Sequence, residues 1–327
     1  LTSTTNASNL SDTDTILGDK LPKSFLQLSG ISVANFNMRC NFRVEKALSI
    51  MIHYELSILA IQEHTPWNRK LSDAEITSIE RHCDHWGFFV KNSELQIVIF
   101  DKQILACHQD TTVYEDGRVI KCRFEISKDT YVTFVPVYGV AHFSGDQKKA
   151  NITSTEENTK LEKMTAVKTI VEKIIDTASA NADLVYVFGD LQDTPDQSKI
   201  FHRGSCRIPR HPLGIVKACE SKGLVCTIYQ HLHTFDKPVI SCHGSKGGRF
   251  IDSVFASPQG TSNVLGIHFI NDAGVHSDHD LVISKIDFGI EKFEAKARTQ
   301  EYNTERDNNL HDAMVCMNLS SVFLFLF

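Results

Sequence analysis

The chain has 327 residues, of which 42% are hydrophobic, and a formal net charge of −6. This length suits one large domain or two small ones. The acidic balance argues against wrapping of nucleic acid over the whole surface but leaves room for a local basic groove. No apolar run is long enough to cross a bilayer. The nine cysteines are scattered without a Cys-x-x-Cys pair, which favours reduced thiols in an intracellular protein over a disulfide framework or a zinc site.

The core is predicted to begin with the alternating strand Ile31–Asn37, after a polar, aperiodic segment (residues 1–29) interpreted as a disordered lead-in. Helices are predicted over 44–54, from a cap at Ser72 to about Trp86, over 155–179 and over 213–222. The other predicted strands are apolar or β-branched runs bounded by polar or turn residues: 56–63, 88–91, 95–100, 111–114, 118–126, 131–138, 184–188, 224–229, 250–256, 264–269 and 281–286.

Strands outnumber helices in this order, yet helices interleave with them in both halves of the chain. The pattern favours a layered sandwich of two sheets with helices packed outside over a doubly wound parallel sheet. The folded domain is expected to span residues 30–288, and the polar, charged segment 289–327 to be a linker or tail. Because the chain begins with Leu rather than Met, it is expected to be a fragment of a longer protein.

Polar side chains stand at the ends of several predicted strands. Asn37 and Glu63 end two of them, Asp190 follows the central apolar strand, and Ser277-Asp278-His279-Asp280 precedes the last. Asp252 lies inside an otherwise apolar strand, where an unpaired carboxylate is costly and a metal, Arg or His partner is expected. Together these residues supply oxygen ligands and a histidine, the set that Mg²⁺-assisted phosphoryl chemistry requires.

Six short motifs resemble those of the endonuclease/exonuclease/phosphatase superfamily, which includes DNase I, apurinic-site endonucleases and endonucleases of LINE-type retroelements. In the family's order, they are Phe36-Asn37-Met38-Arg39, Gln62-Glu63, Val137-Tyr138-Gly139, Gly189-Asp190-Leu191-Gln192, Arg249-Phe250-Ile251-Asp252 and Ser277-Asp278-His279. Each motif alone is weak, whereas six in order are specific. The resemblance implies an α/β (α+β) fold of the DNase I-like type, a four-layer sandwich of two mixed β-sheets flanked by helices.

The resemblance also implies a hydrolase of phosphoric esters that depends on a divalent metal. Glu63 would be the principal metal ligand, with Asn37 beside it and Asp278 as a further or water-mediated ligand. All three are oxygen donors, which suit Mg²⁺ or Mn²⁺ better than zinc.

The remaining motif residues would carry the chemistry. Asp190 would orient and deprotonate the attacking water, and Gln192 would position water or phosphate. His279, oriented by Asp252, would stabilise the developing oxyanion. Tyr138 would donate a hydrogen bond to a phosphate oxygen.

One position departs from the family's pattern. Gln192 stands where the Gly-Asp-x-Asn motif has Asn. The amide is retained, but the extra methylene displaces it by about a bond length, and a misplacement of about 1 Å can cost two orders of magnitude in rate. Two interpretations follow: the site has adapted to Gln192 and remains active, or the site has decayed and lost activity.

Residues 201–249 carry eight Lys or Arg and only two acids, within a chain of net charge −6. The loop 201–211 soon follows the Asp190 strand and is expected to border the site. Arg203, Arg207 and Arg210, together with Arg249 of the Arg-x-Asp motif, are therefore predicted to contact a polyanion.

These features favour a Mg²⁺-dependent DNA endonuclease, for which a nuclear location and a fused downstream domain such as a reverse transcriptase are further expectations. Two alternatives remain open. The first is a phosphatase or phosphodiesterase that acts on inositol phosphates or lipid headgroups. The second is a catalytically degenerate module that binds nucleic acid. The oligomeric state is not specified by the sequence.

Overall fold

A computed structural model describes residues 19–65, 70–77, 88–91, 93–101, 104, 107–141, 154–195, 213–231, 239–244 and 247–289. The named helices are α1 (Lys23–Leu26), α2 (Val44–His53), α3 (Ser154–Ala180), α4 (Ile215–Ser221), α5 (Ile228–His231) and α6 (Pro258–Thr261). The strands are β1 (Ile31–Asn37), β2 (Ile58–Gln62), β3 (Phe88–Lys91), β4 (Gln96–Asp101), β5 (His108–Tyr114), β6 (Val119–Ser127), β7 (Thr130–Tyr138), β8 (Leu184–Asp190), β9 (Val225–Cys226), β10 (Cys242–Gly244), β11 (Gly247–Arg249), β12 (Asp252–Ala256), β13 (Val264–Ile270) and β14 (Leu281–Ile286).

Within the described residues, the strands form two mixed six-stranded sheets and the hairpin β10–β11. The first sheet has the order β13-β14-β1-β2-β4-β3, and the second has the order β5-β6-β7-β8-β12-β9. Each sheet has a parallel pair at its centre, β1/β2 or β7/β8, with antiparallel neighbours on both sides. Because parallel partners end at the same edge, each sheet presents two strand ends side by side at its middle.

Successive residues along the central strands of the first sheet face two different hydrophobic cores. Val33 and Ile58 face the core between the sheets, whereas the next residues along these strands, Ala34 and Leu59, join the core under α2. The rings of Phe100 in β4 and Phe124 in β6 meet across the two sheets at 5.6 Å. Helix α3 covers the other face of the second sheet through a buried stripe: Val167, Val171, Ile174 and Ile175. The resulting order of helix, sheet, sheet and helix is the four-layer sandwich that the sequence predicts.

The long periodic helices agree with their predictions, since α2 spans Val44–His53 and α3 spans Ser154–Ala180. The strand predicted over 224–229 is wrong in its second half, where α5 begins. Both the amide and the hydroxyl of Thr227 donate to the Val254 carbonyl. Beyond this point the chain turns away from β12 and continues as a helix.

The segment before β1 also differs from its prediction. Residues 19–29 contain helix α1, and Leu21 and Phe25 are buried in the same core as Tyr54. The Tyr54 hydroxyl donates to the Asp19 carbonyl at 3.0 Å. Helix α1 is only four residues long, which is too short for a hydrophobic period to identify it, so the sequence did not reveal this contact. Residues 1–18 and the predicted tail beyond residue 289 lie outside the described residues.

The predicted cap at Ser72 is present, because its hydroxyl accepts from the Glu75 amide while the Glu75 carboxylate accepts from the Ser72 amide. Residues 73–77 are helical, and the rest of the helix predicted to Trp86 lies outside the described residues. None of the cysteines that the structure describes forms a disulfide. Among the described helices, none has the length and apolar character needed to span a membrane.

Candidate active site

The central strand ends of the two sheets meet at one edge of the sandwich. Asn37 at the end of β1 lies opposite Gln62 of β2, and Tyr138 at the end of β7 lies opposite Asp190 of β8. The Asn37 amide nitrogen spans the gap between the sheets and donates to Asp190 Oδ2 at 3.0 Å. The strand-end residues singled out by the sequence thus converge because both parallel pairs end there.

Two glycines allow β7 and β8 to come this close. A Cβ atom at Gly189, whose φ is +136°, would lie 2.1 Å from the Val137 carbonyl oxygen. A Cβ atom at Gly139 would lie 2.1 Å from the Leu191 carbonyl oxygen. Both obstacles are backbone atoms, so any side chain would push the strand ends apart. The glycines of two motifs therefore set the spacing between Tyr138 and Asp190.

A chain of hydrogen bonds connects Tyr138, Glu63, Asn37 and Asp190. The Tyr138 hydroxyl donates to Glu63 Oε1 at 2.6 Å, and Asn37 Nδ2 donates to the same oxygen at 3.1 Å. Burial, followed by repulsion from Glu63, raises the pKa of the Tyr138 hydroxyl far above its ordinary value, so this group is a proton donor. Glu63 is half-buried, whereas Asn37 and Asp190 are fully buried. Of the two carboxylates in this series of hydrogen bonds, Glu63 is therefore the more accessible.

Glu63 has a left-handed backbone with a φ of +46°. A non-glycine residue in such a conformation costs on the order of 1 kcal/mol or more and is found preferentially at functional sites. The conformation is held on both sides, because the Glu63 amide donates to the Leu95 carbonyl at 3.1 Å and its carbonyl accepts from the Cys40 amide at 2.6 Å. These backbone bonds fix the point from which the carboxylate extends.

The side chain of Asn37 has a defined orientation. Its nitrogen faces two carboxylates, and its oxygen accepts from the Arg39 amide at 3.0 Å. A flipped amide would bring oxygen against the carboxylates and nitrogen against an N–H group, which would lose all three hydrogen bonds. Asn37 thus lies at the end of β1, as the sequence predicts. Its side chain, however, donates hydrogen bonds to Glu63 and Asp190 and so bridges the two carboxylates.

His279 and Asp252 form a buried pair. His279 Nδ1 lies 3.0 Å from Asp252 Oδ2, and His279 Nε2 lies 3.9 Å from Asp190 Oδ2. Burial raises the pKa of the Asp252 carboxyl to about 6, although His279 opposes the rise. Burial lowers the pKa of His279, but attraction to Asp252 and Asp190 outweighs it and raises the pKa well above the ordinary imidazole value. The imidazole is therefore held as a cation between two buried carboxylates.

The segment that carries His279 is tied to β1. The Ser277 hydroxyl donates to the Asn37 carbonyl at 2.6 Å and accepts from the His279 amide at 3.1 Å. Asp278, the third predicted metal ligand, pairs through Oδ2 with the guanidinium of Arg39. Asp278 raises the pKa of Arg39 through this bond, and Glu63 contributes in the same direction. Arg39 thus lies in the field of both acidic residues that were expected to bind the metal.

Gln192 contacts Asp190 with both its backbone and its side chain. Its amide N–H donates to Asp190 Oδ1 at 3.1 Å, and its Nε2 donates to Asp190 Oδ2 at 2.8 Å. Its backbone is left-handed, with a φ of +52°. The longer side chain of Gln192 therefore reaches the carboxylate at the end of β8.

The predicted substrate-binding arginines divide into two groups. Arg249 ends β11, is half-buried and donates from Nη2 to the sulfur of Cys242 at 3.5 Å. The structure therefore brings Arg249 to the margin of the site. Arg203, Arg207 and Arg210 lie outside the described residues.

Two residues near the site were not anticipated. Arg118 donates to the carbonyls of Tyr138 and Gly139, and its guanidinium lies 5.0 Å from the centre of the Tyr138 ring. Burial lowers the pKa of Arg118, while Tyr138 and nearby acids oppose that effect. Cys242 pairs across an isolated bridge with His279. Neither belongs to a recognised motif, and only the pairing of distant strands brings them here.

Comparisons with known proteins bear on the fold. No protein-family model matches the chain, and no curated protein does. It is similar to the structure of an AP endonuclease from Archaeoglobus fulgidus, with a TM-score of 0.57 and 16% identity over 79% of this chain and 99% of that one. It is also similar to the 3'-5' exonuclease NExo from Neisseria meningitidis, with a TM-score of 0.58 and 16% identity over 79% of this chain and 100% of that one.

A second structure of NExo, described as a 3' phosphatase bound to product DNA hairpin, gives a TM-score of 0.57 with 16% identity, over 79% of this chain and 100% of that one. The matched structures are thus covered almost completely. This similarity of fold agrees with the architecture predicted from the six motifs. The chain has the fold of these structures, a DNase I-like sandwich of two mixed β-sheets flanked by helices.

Proposed function

We propose that the chain is a divalent-metal-dependent phosphodiesterase and that its substrate is DNA, which it cuts within the strand. The observation that carries this proposal is the hydrogen-bonded chain from Tyr138 through Glu63 and Asn37 to Asp190, which joins the two sheets at their strand ends. A cationic His279 adjoins it, held by Asp252. This set combines oxygen donors, a buried carboxylate and a positive charge, as hydrolysis of a phosphodiester requires.

The residues present fit a hard divalent cation. The oxygens of Glu63 and Asp278 are the donors that Mg²⁺ and Mn²⁺ prefer. Asp278 Oδ1 is buried and has no hydrogen-bond partner within the described part of the chain, so it is suited to a cation. Glu63 and Asp278 would therefore hold the metal, with Asn37 fixing the Glu63 carboxylate. The bound ion would neutralise charge on the phosphate and on the leaving oxygen.

The protein's own groups account for the other steps. Asp190, buried and fixed by Asn37 and Gln192, would accept the proton of the attacking water. His279 would donate a hydrogen bond from Nε2 to the phosphate, since Nδ1 is taken by Asp252. Hydrogen bonds that strengthen as negative charge develops lower the barrier to attack. Tyr138 would hold Glu63 and serve as a second donor.

The choice of DNA rests on charge. Residues 201–249 carry eight Lys or Arg and two acids, and Arg249 from this segment lies beside Cys242 and close to His279. Such an excess of positive charge, in a segment whose Arg249 lies beside the site, favours a polyanion over a small phosphoester. One of the similar structures is described as a phosphatase, so removal of a 3' phosphate from a DNA end is a second candidate reaction.

The test uses the purified chain with supercoiled plasmid and Mg²⁺. The proposal expects nicked circles that disappear when the metal is chelated. A parallel assay follows release of phosphate from a 3'-phosphorylated DNA end and from inositol phosphates. Phosphate release without nicking would favour the phosphatase. Salt-sensitive DNA binding with neither product would identify a degenerate binding module and would overturn the proposal.

A further inference from the structure

Cys242 lies beside two residues of the candidate site. It is fully buried in β10. Its sulfur lies 4.0 Å from Asp278 Oδ2, and His279 Nε2 lies 4.0 Å from Asp278 Oδ1. One ligand atom of each of these three residues lies within 4.8 Å of the other two. A sulfur, a nitrogen and an oxygen donor therefore converge on one point, although the scattered cysteines of the sequence argue against a zinc site.

The two separations of 4.0 Å are about 0.5 Å longer than those between the ligands of a tetrahedral ion. Zinc bonds of about 2.0 Å to nitrogen or oxygen and about 2.3 Å to sulfur place neighbouring ligands about 3.5 Å apart. The side chain of Asp278 is 25% exposed, against 5% for His279, so Asp278 has the freedom to close the remaining distance. Arg39 binds Oδ2 of Asp278, whereas Oδ1 is buried without a hydrogen-bond partner within the described residues.

The neighbours of these ligands are also suited to a metal. Asp252 binds Nδ1 of His279 at 3.0 Å, which leaves Nε2 as the ligating atom. A carboxylate behind a histidine in this way fixes the ring and raises its basicity as a metal ligand. Arg249 donates to the Cys242 sulfur at 3.5 Å, so a second side chain fixes the position of that sulfur. Both ligands thus have a supporting partner.

We propose that Cys242, Asp278 and His279 bind a thiophilic divalent cation of the zinc class, and that its binding inhibits phosphoester cleavage. Thiolate and imidazole select such an ion over Mg²⁺, which prefers oxygen. Bonds from sulfur and Nε2 to the metal replace their bonds to hydrogen, and the displaced protons pass to solvent. The inhibitory part rests on the proposed function, because zinc would occupy His279 Nε2 and Asp278, which that function assigns to phosphate and Mg²⁺.

The binding test uses Co²⁺ alone as a spectroscopic substitute for zinc. In the wild-type chain, titration with Co²⁺ is expected to produce a thiolate-to-cobalt absorption band in the near ultraviolet, which added Zn²⁺ removes. Cys242→Ser should abolish the band. The matched control is Cys107→Ser, the same change at a half-buried thiol in another part of the fold, and it should retain the band. A band of full intensity in Cys242→Ser would overturn the proposal.

A second variant covers the case in which Cys242→Ser does not fold. Asp278→Asn alters a partly exposed side chain and leaves the thiol in place. It should weaken Co²⁺ affinity by about tenfold or more, since even a supporting residue of a metal site contributes that much. Unchanged affinity in a folded Asp278→Asn protein would contradict the assigned ligand set.

The inhibition test compares rates with and without Zn²⁺ within each variant at fixed Mg²⁺. Cys242→Ser should raise the half-inhibitory zinc concentration by about tenfold or more, and Cys107→Ser should not. Loss of the cobalt band in Cys242→Ser together with absent nicking in every protein would support the metal site and refute the proposed function. Nicking that zinc inhibits equally in both variants would refute the inhibitory site and leave the function intact.

Discussion

Asn37 and Asp190 join the two sheets through one buried hydrogen bond, from Asn37 Nδ2 to Asp190 Oδ2 at 3.0 Å. Both residues are fully buried, and each stands at the end of a central strand in a parallel pair. The same nitrogen also donates to Glu63. A neutral amide thus separates two carboxylates that would otherwise repel each other. One side chain thus contacts both the expected metal ligand and the expected base.

Asn37→Asp tests that arrangement. The change removes the two donated hydrogen bonds and puts a third carboxylate between Glu63 and Asp190. The new carboxylate would be buried between two other acids without a cation to pair with. We therefore expect the free energy of unfolding, measured by denaturant titration, to fall by about 1–3 kcal/mol. Mg²⁺-dependent nicking should fall by about a hundredfold or more, since small displacements at such a site are costly.

The matched control is Asn181→Asp, the same substitution at an exposed residue just after α3. It should leave the rate unchanged and lower the free energy of unfolding by less than about 1 kcal/mol, the cost of a negative charge at the C-terminal end of a helix. If Asn37→Asp has the stability and rate of the control, the hydrogen bond from Asn37 to Asp190 contributes measurably to neither.

Gln192→Asn separates an adapted site from a decayed one. In the structure Nε2 of Gln192 reaches Asp190 at 2.8 Å, which favours adaptation. Shortening the side chain should break this bond and lower the nicking rate by roughly tenfold or more. Thermal stability should be retained or rise slightly, because Asn tolerates a φ of +52° better than Gln does.

Gln109→Asn, at an exposed position in β5, is the control for that change and should leave the rate unaltered. A faster rate in Gln192→Asn would indicate a decayed site. It would contradict the view that Gln192 takes the role of Asn in the Gly-Asp-x-Asn motif.

Arg118 is expected to act by positioning Tyr138. It holds the carbonyls at the end of β7 and lies against the Tyr138 ring. Arg118→Ala should lower kcat by about tenfold in the wild-type background but by much less in a Tyr138→Phe background, because the effect passes through the tyrosine hydroxyl. Arg118→Lys should restore activity only in part, since lysine lacks the planar fork. Equal losses in both backgrounds would mean that Arg118 only stabilises the fold.

The basic loop is tested by the salt dependence of DNA binding. The triple alanine variant of Arg203, Arg207 and Arg210 should flatten the slope of log K against log salt, by roughly 0.7–0.9 for each lost phosphate contact. The control is a triple alanine variant of exposed lysines elsewhere on the fold: Lys23, Lys128 and Lys163. If both variants show the same slope as the wild-type chain, the loop does not contact DNA.

Much of the fold could be predicted because its elements are strongly periodic. The stripe of α3 has a helical period and β1 has an alternating one, whereas β2 and β8 are short apolar runs recognised by their length and polar boundaries. Helix α1 was missed because its four residues are too few to show a hydrophobic period. The end of β9 was missed because Thr227 turns the chain through bonds to a strand far away in the sequence.

The site was less fully predictable, for a physical reason. Motifs indicate which residue types stand at strand ends, but partners are decided by how strands pair across the sheets. The register of β7 against β8 sets Tyr138 beside Asp190, and the bridge from Cys242 to His279 brings a thiol to the site. The direction of the Asn37 amide likewise follows from its three neighbours. None of these relations is visible along the chain.

The most direct test of the proposed metal-dependent chemistry is Glu63→Gln. The glutamine oxygen can still accept the hydrogen bonds of Tyr138 and Asn37, so the variant should fold with nearly wild-type stability, while losing the negative charge that would hold the metal. Glu55→Gln makes the same change at an exposed glutamate that is also left-handed, and it serves as the control. We expect Glu63→Gln to lose Mn²⁺ binding, followed by calorimetry, and Mg²⁺-dependent plasmid nicking, while Glu55→Gln keeps both. Wild-type nicking and Mn²⁺ affinity in a folded Glu63→Gln protein would contradict the role proposed for this residue.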